Sequence, residues 1–371
     1  PLALAAALAG GAVRIVQDQC GPFTDVSPAF CPYVLEMYYL GITAGTSPTT
    51  YSPDNPVTRG QAAVFVSKGV NQAIARSSRR AALGQWWTTT PHYDIGLGVT
   101  ADASGPIVCD GADVWVGSSG GVSRVRASDG RVLETWSGTG GGPMVSAMGR
   151  IFVAIDANPG RIFMIDPSQP AGSATLVADN LGNQPTSIAF DGEKLWTGNL
   201  DGSISIVRPG PTLPWTATTL TPGFKGVLGL VFDGNNLWAT DFPVGKIHKL
   251  DANGGVLATY TIGDGVQVPM FDGENIWVPN CCGVAVLRPA TGLTIAYLHA
   301  PPGLLAPYRV AFDGMRTLVL GDNSDVVMLW DAATLELIQT TSLGTGTTPQ
   351  GVCSDGINFW VTLGNGQLGR F

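Results

Sequence analysis

A mainly β chain, folded as a seven-bladed β-propeller behind a small α-helical N-terminal module, is what this sequence predicts. Three observations carry the prediction. First, a tract of the form Asp-Gly-x-x-apolar-Trp recurs as Asp110-Gly111…Trp115, Asp191-Gly192…Trp196, Asp233-Gly234…Trp238, Asp272-Gly273…Trp277 and Asp355-Gly356…Trp360. Two weaker copies fill the gaps. Asp313-Gly314 is followed by Leu318 in the Trp position, and Met148-Gly149 by Phe152 in a copy one residue shorter. Second, the starts at 110, 148, 191, 233, 272, 313 and 355 are 38, 43, 42, 39, 41 and 42 residues apart, the period of one four-stranded blade. Third, residues 23–68 carry no such repeat and instead mix helical spacing with Pro- and Gly-punctuated loops.

One unit, Pro185 to Leu220, shows how each copy is built. Thr186–Phe190 alternates apolar and small residues as a first strand, and Asp191-Gly192 turns the chain into a second, Lys194–Gly198. Asn199–Gly202 is a second turn, Ser203–Val207 a third strand, Arg208–Pro214 a Pro/Gly-rich turn and Trp215–Leu220 a fourth strand. Asp-Gly suits a turn that needs positive φ, which Gly permits and Asp tolerates. The Trp is expected to pack between neighbouring blades, where a buried indole covers about 150–250 Å² and contributes roughly 4–6 kcal/mol gross.

The last copy reaches Phe371 with three strands only. Residues 86–95 stand just before the first copy and lead into Gly96-Leu97-Gly98, as other outer strands lead into Gly-rich loops. They are expected to supply the missing outer strand and close the ring as three strands plus one. A closed ring leaves only short, protected strand edges.

Residues 86–371 resemble the YVTN/NHL-like (YncE-like) superfamily of seven-bladed propellers. The resemblance rests on the Asp-Gly turn, the Leu-Trp-Val type of second strand and third strands such as Lys246-Ile247-His248-Lys249-Leu250-Asp251. WD-repeat proteins match less well, since their Gly-His signature is absent and Trp330-Asp331 is the one Trp-Asp pair.

The N-terminal module has its own order of elements. Phe23-Thr24-Asp25-Val26 precedes a helical pattern from Pro32 to Leu40, which Gly41-Ile42-Thr43-Ala44-Gly45 breaks. Tyr51-Ser52-Pro53-Asp54-Asn55-Pro56-Val57 reads as an extended loop, and Thr58 can cap a second helix from Arg59 to about Gln72, with Ala62, Ala63, Phe65 and Val66 as its apolar stripe. This arrangement resembles one S-layer homology module, whose pattern is Phe-x-Asp-Val, a helix, Gly-Ile-x-x-Gly, then an aromatic-x-Pro loop and Thr-Arg-Ala-Glu. The resemblance implies non-covalent attachment to cell-envelope polysaccharide. It assigns Asp25, Thr58, Arg59 and Gln61 to that surface, with Arg59 against an anionic sugar substituent. Gln61 stands where the family has Glu, and one module is present where three are common.

The chain opens with a small-apolar run, Leu2 to Gly10, without a basic stretch before it. Residues 1–19 are therefore expected to be the remnant of a signal peptide and leader, followed by the module at 20–72, a connector at 73–85 and the propeller at 86–371. No run of about 18 apolar residues is present, so no transmembrane span is expected. Secretion to a bacterial cell surface or periplasm fits the six cysteines. Cys20 and Cys31 bracket the Phe-x-Asp-Val element and could close a loop worth about 2–3 kcal/mol. Cys109 and Cys353 precede the turns of the first and last copies, ring neighbours, where either a bridge or two buried thiols would fit. Cys281-Cys282 permit a vicinal disulfide; a zinc site lacks further ligands at the right spacing. Charged residues make up 13% of the chain, the net charge is −8 and the pI near 4.8, which argues against a nucleic-acid partner. The one basic cluster, Arg76-Ser77-Ser78-Arg79-Arg80, falls in the connector.

Catalytic patterns are sparse. The three histidines, His92, His248 and His299, form no ligand pair in sequence, and no nucleophile elbow, phosphate loop or zinc motif occurs. No cofactor is expected. A polar ring does stand out. Three or so positions beyond the Trp slot the second strands end in Ser118, Asp156, Asn199, Asp241, Asn280, Asp322 and Leu363. Asp156, Asn199, Asp241, Asn280 and Asp322 are candidates to bind a cation or polar ligand at a channel mouth; the alternative is that they cap turns. The resulting expectation is a secreted, envelope-associated binding protein, anchored on envelope polysaccharide and presenting the propeller to a ligand or another surface protein. Whether it is an enzyme is left open, with a non-enzyme favoured. A metal-assisted lyase or lactonase and a structural surface-layer subunit are the alternatives.

Overall fold

A computed structural model describes residues 20–27, 29–39, 42–66, 94–95, 105–128, 130–299, 306–321 and 324–371. The leader, the connector with its Arg cluster, residues 86–93 with His92, and Asp322 lie outside these. The chain divides into two compact units, Pro1–Ser77 and Ser78–Phe371.

The second unit contains seven four-stranded antiparallel sheets, at 107–136, 144–181, 185–220, 227–261, 270–299, 307–342 and 349–370, here blades 1 to 7. Within each of the first six, the strands lie side by side in chain order. Blade 7 has three strands of its own, Pro349–Ser354, Phe359–Leu363 and Leu368–Arg370, and its outer strand is Asp94–Ile95, paired as Asp94 with Arg370 and Ile95 with Gly369. The first strand of every blade touches the first strands of both neighbours, so these seven strands form the wall around the axis. Blade 3 runs Pro185–Phe190, Leu195–Asn199, Ile204–Arg208 and Thr216–Leu220, each within two residues of the reading from periodicity.

Blades are held together by the recurring Trp. Trp115, Trp196, Trp238, Trp277 and Trp360 are buried to 1% exposure or less. Each sits in a cluster that spans two blades: Trp196 of blade 3 packs with Leu230, Leu237 and Ala239 of blade 4, and Trp360 of blade 7 with Val114 and Val116 of blade 1. The closing junction has a covalent tie as well, since Cys109 of blade 1 is disulfide-bonded to Cys353 of blade 7.

The role of Asp in the Asp-Gly turn differs from the sequence reading. None of these Asp residues takes positive φ; the following Gly does so alone, as at Gly192 (96°) and Gly234 (92°). The Asp works through its carboxylate. In blade 4, Asp233 Oδ1 accepts from the backbone N–H of Asn235 (2.8 Å) and Asn236 (2.7 Å), while Oδ2 accepts from Trp238 Nε1 at 2.7 Å. The same indole–carboxylate bond joins Trp115 to Asp110, Trp196 to Asp191, Trp277 to Asp272 and Trp360 to Asp355, at 2.7–2.8 Å. It satisfies a buried indole N–H that would otherwise be orphaned. The two odd copies obey the same logic. Where Leu318 has no N–H to give, Arg316 Nε takes Asp313 Oδ2 at 2.9 Å. Where Phe152 fills the slot, no carboxylate is needed and Met148 stands in the turn with φ 52°.

The first unit is small and built on aromatic packing. Phe23 is 1% exposed and meets Tyr38 edge-on at 5.1 Å and Tyr51 at 5.4 Å. A helix runs Cys31–Tyr39, and the Cys20–Cys31 disulfide fixes its start to the segment that carries Phe23. Residues 59–66 are helical, as the Thr58 cap predicts; the remainder of the expected helix lies outside the described residues. Its apolar stripe is not a buried face: Phe65 is half-buried, while Ala62, Ala63 and Val66 are exposed.

Candidate functional site

Two places carry the residues singled out by sequence. In the first unit, Asp25 is a brace for the loop that follows. Its Oδ1 accepts from Tyr51 N at 2.8 Å and its Oδ2 from Ser52 N at 2.7 Å. The hydrogen bond from Tyr51, with that from Ser52, holds the Asp25 carboxyl below its ordinary range despite the opposing effect of burial. The loop therefore delivers Thr58 to the start of a helix in a fixed geometry.

Thr58 and Gln61 form a reciprocal cap. Gln61 N donates to Thr58 Oγ1 (3.2 Å), and Thr58 N donates to Gln61 Oε1 (2.9 Å). An amide oxygen accepts as a carboxylate does, so replacing the family's Glu by Gln keeps the cap and removes a negative charge. Arg59, in the first turn, is exposed and has no ion-pair partner among the described residues. A cation there faces the positive end of the helix dipole, an unfavourable placement by about 0.3–1 kcal/mol. Thr58, Arg59 and Gln61 thus share one turn, with Arg59 as its unsatisfied charge.

In the propeller, Ser118, Asn199 and Asn280 bond within their own turns, and Asp241 bonds to the loop that precedes its blade. Asn199 is fully buried, and its Nδ2 donates to Ser203 Oγ (3.0 Å) and Ser205 Oγ (3.1 Å). Asp241, 3% exposed, accepts from the backbone N–H of Lys225 and Gly226 at 3.1 Å. Asn280 Oδ1 accepts from Cys282 N and Gly283 N at 3.1 Å and from the Tyr297 hydroxyl at 2.5 Å. Ser118 Oγ donates to Gly121 O, Asp156 is exposed and Leu363 is buried. Among the described residues, no group of three or more His, Cys, Asp or Glu side chains is placed to hold a metal ion.

Other acids, one turn further on, were not singled out by the repeat pattern. Asp201 Oδ2 accepts from Asn183 N (2.8 Å), and Asp325 accepts from Gly346 N (2.8 Å) and Thr348 N (2.9 Å). They tie the turn between second and third strands to the loop between blades. The signal was present as a carboxylate beside each turn, but the loop it meets lies some twenty residues away in sequence. Nearby, Cys281 and Cys282 occupy the tight turn of blade 5 as exposed free thiols, Sγ to Sγ 2.7 Å. His248 of blade 4 stacks on Phe224 at 4.0 Å, with Nδ1 against Thr259 Oγ1 (2.9 Å) and Nε2 3.6 Å from Asp241.

Comparison with known proteins finds matches to separate parts of the chain. The S-layer homology domain family matches residues 22–63. No curated protein matches the chain. Solved structures similar to it include the WD40 β-propeller domain of Doa1, with a TM-score of 0.62 and 15% identity over 76% of this chain and 97% of that one. A streptogramin B lyase gives 0.60 and 17% over 75% and 96%, and Kuenenia stuttgartiensis hydrazine synthase 0.59 and 16% over 77% and 98%. Proteins of such different description share the fold with this chain, and at these identities the likeness extends no further. Among the described residues, no helix is long and apolar enough to cross a membrane. The chain carries an S-layer homology domain at residues 22–63 and, after it, a seven-bladed β-propeller.

Proposed function

We propose that this is a secreted cell-envelope protein whose N-terminal module, residues 20–72, attaches to an envelope polysaccharide, while residues 86–371 serve as a rigid binding platform. The observation that carries the reading is Arg59: an exposed residue on the first turn of a capped helix, inside the match to the S-layer homology domain, with no ion-pair partner among the described residues. A guanidinium fork suits a carboxylate or phosphate substituent on a sugar. Asp25, Thr58 and Gln61 hold that turn in place through backbone hydrogen bonds and are positioning groups in this account. The disulfides Cys20–Cys31 and Cys109–Cys353 suit an oxidising compartment outside the cytoplasm.

The test is co-sedimentation of the whole chain with purified envelope polysaccharide. Arg59→Ala is expected to reduce the bound fraction at least several-fold with an unchanged melting temperature, because Arg59 makes no ion pair among the described residues. Equal sedimentation of Arg59→Ala and the unsubstituted protein would sink the assignment.

A further inference from the structure

Across the seven first strands that ring the axis, the described residues include one charged side chain. The strands read Ile-Val-Cys, Met-Val-Ser-Ala, Pro-Thr-Ser-Ile-Ala-Phe, Val-Leu-Gly-Leu-Val-Phe, Met-Phe, Pro-Tyr-Arg-Val-Ala-Phe and Pro-Gln-Gly-Val-Cys-Ser, and the Arg is Arg309 of blade 6. A cation on the innermost strand of an acidic protein would ordinarily have a carboxylate partner. Arg309 has no ion pair and no hydrogen bond among the described residues, and its Nη1 is sealed from solvent without a partner. The Tyr308 ring lies 5.5 Å from its guanidinium carbon. Burial pushes the guanidinium below its usual value, with nothing stronger than Tyr308 to oppose it. Arginine nonetheless keeps its proton.

The backbone explains why the side chain stands where it does. The register of the first strand shifts between Pro307 and Arg309, and the same bulge precedes Ser187, Gly229 and Gly351 in blades 3, 4 and 7. Bulges re-aim the residue that follows them. At Gly229 a Cβ would meet Pro269 Cδ and lie 2.6 Å from Val268 Cα, just before the first strand of blade 5. At Gly351 it would lie 3.0 Å from both Ile107 Cγ2 of blade 1 and Thr362 Oγ1 of its own blade, so this position faces the junction with the next blade. Blade 6 alone among these four puts a long side chain there. As a residue Arg309 is half-buried, with Nη1 sealed, and it is the one charge among the described residues of these inner strands.

From this geometry we infer that Arg309 is the anchor of an anion-binding site in the inner wall of the propeller, taking a small oxyanion such as a carboxylate or phosphate group. Its fork of N–H donors matches two oxygens of such a group, and a low-dielectric wall with no other charged side chain among the described residues of these strands strengthens the pairing. Apart from Tyr308 and Gln350, the other described residues of these strands are small or apolar, which suits a compact ligand with one charged end. The site assigns the propeller's ligand a chemical class and does not depend on envelope attachment, since Arg59 and Arg309 lie in different units.

The experiment uses the whole chain with sodium phosphate and, separately, sodium acetate, each against sodium chloride at equal ionic strength. Calorimetric titration is expected to show one saturable site for at least one of the two oxyanions, and saturating anion to raise the melting temperature by about 3–6 °C. Arg309→Met, which keeps the length of the side chain, should lose roughly tenfold or more in affinity. Without anion it should melt no lower than the unsubstituted protein, since an unpaired buried charge has been removed. Arg309→Lys, keeping the charge and losing the fork, should bind with intermediate affinity. Phosphate or acetate bound by the unsubstituted protein and by sodium chloride-matched Arg309→Met alike would overturn the site. So would the absence of any oxyanion binding beyond the chloride control, or an anion-free loss of stability in Arg309→Met showing that the guanidinium serves the fold. Which of the two anions binds decides between the phosphate and carboxylate sources.

Discussion

At the scale of single residues, the repeat is a hydrogen-bond device as much as a hydrophobic one. Asp233 holds its turn with one carboxylate oxygen and the inter-blade Trp238 with the other. Trp238→Phe should cost about 1–3 kcal/mol, because it strips a partner from a buried carboxylate oxygen. Combined with Asp233→Ala, the loss should fall short of the sum by about 0.5–3 kcal/mol, as read from urea unfolding of the two single variants and the double variant. The repeated Asp and Trp were plain in the sequence, but their bond was not, since turn chemistry already offered a reason for Asp-Gly. The exceptions would have shown it: Met148 replaces Asp in the one copy whose Trp slot is Phe152. A second residue-scale prediction concerns Cys281. The neighbouring Cys282, assisted by burial, pushes its thiol up to about 11. Alkylation of Cys281 should therefore still be accelerating roughly tenfold per pH unit between pH 8 and 10, with no plateau in that range; mass-spectrometric labelling rates would show it.

At the scale of elements, strands were legible because alternation and Gly-rich turns mark them, and blade 3 matches to within two residues. The polar strand ends were legible as positions and not as partners. Asn199, Asp241 and Asn280 sit at equivalent places, yet Asn199 and Asn280 bond within their own turns and Asp241 to the loop before its blade, which periodicity cannot reveal. The third strand of blade 4 offers a pH test. Burial lowers the His248 imidazole from its ordinary value of 6.5, outweighing the upward pull of Asp241. The folded state thus binds fewer protons than the unfolded chain in the window just below pH 6.5. The stability associated with neutral His248 is complete above that pH and is lost as pH falls through the folded-state value. Melting temperatures should decline from pH 7 to 5, and His248→Gln should flatten that decline. A variant with the same pH profile would place the sensitivity elsewhere.

For the whole molecule, the ring is closed twice beside the same junction. Asp94–Ile95 completes blade 7, and the disulfide joins Cys109 to Cys353 across 244 residues of sequence, with Cα atoms 5.7 Å apart. Replacing both cysteines by Ala should lower the unfolding free energy by about 2–5 kcal/mol, through release of a very large loop in the unfolded chain. Guanidinium unfolding would measure it. The seven-fold period made the propeller readable before any coordinates. The pairing of 109 with 353 was readable only as one option, because burial of two thiols and their oxidation leave the same sequence. What stayed hidden was Arg309: one cation among hydrophobic strands reads as an ordinary exposed side chain until the strand is placed at the axis.

The central claim is a division of labour, with attachment in the first unit and ligand capture in the second. Its most direct test is co-sedimentation of the whole chain and of the fragments 20–85 and 86–371 with purified envelope polysaccharide. The account predicts that the whole chain and fragment 20–85 pellet with the polymer while fragment 86–371 stays in solution. Fragment 86–371 pelleting as fully as the whole chain would contradict it.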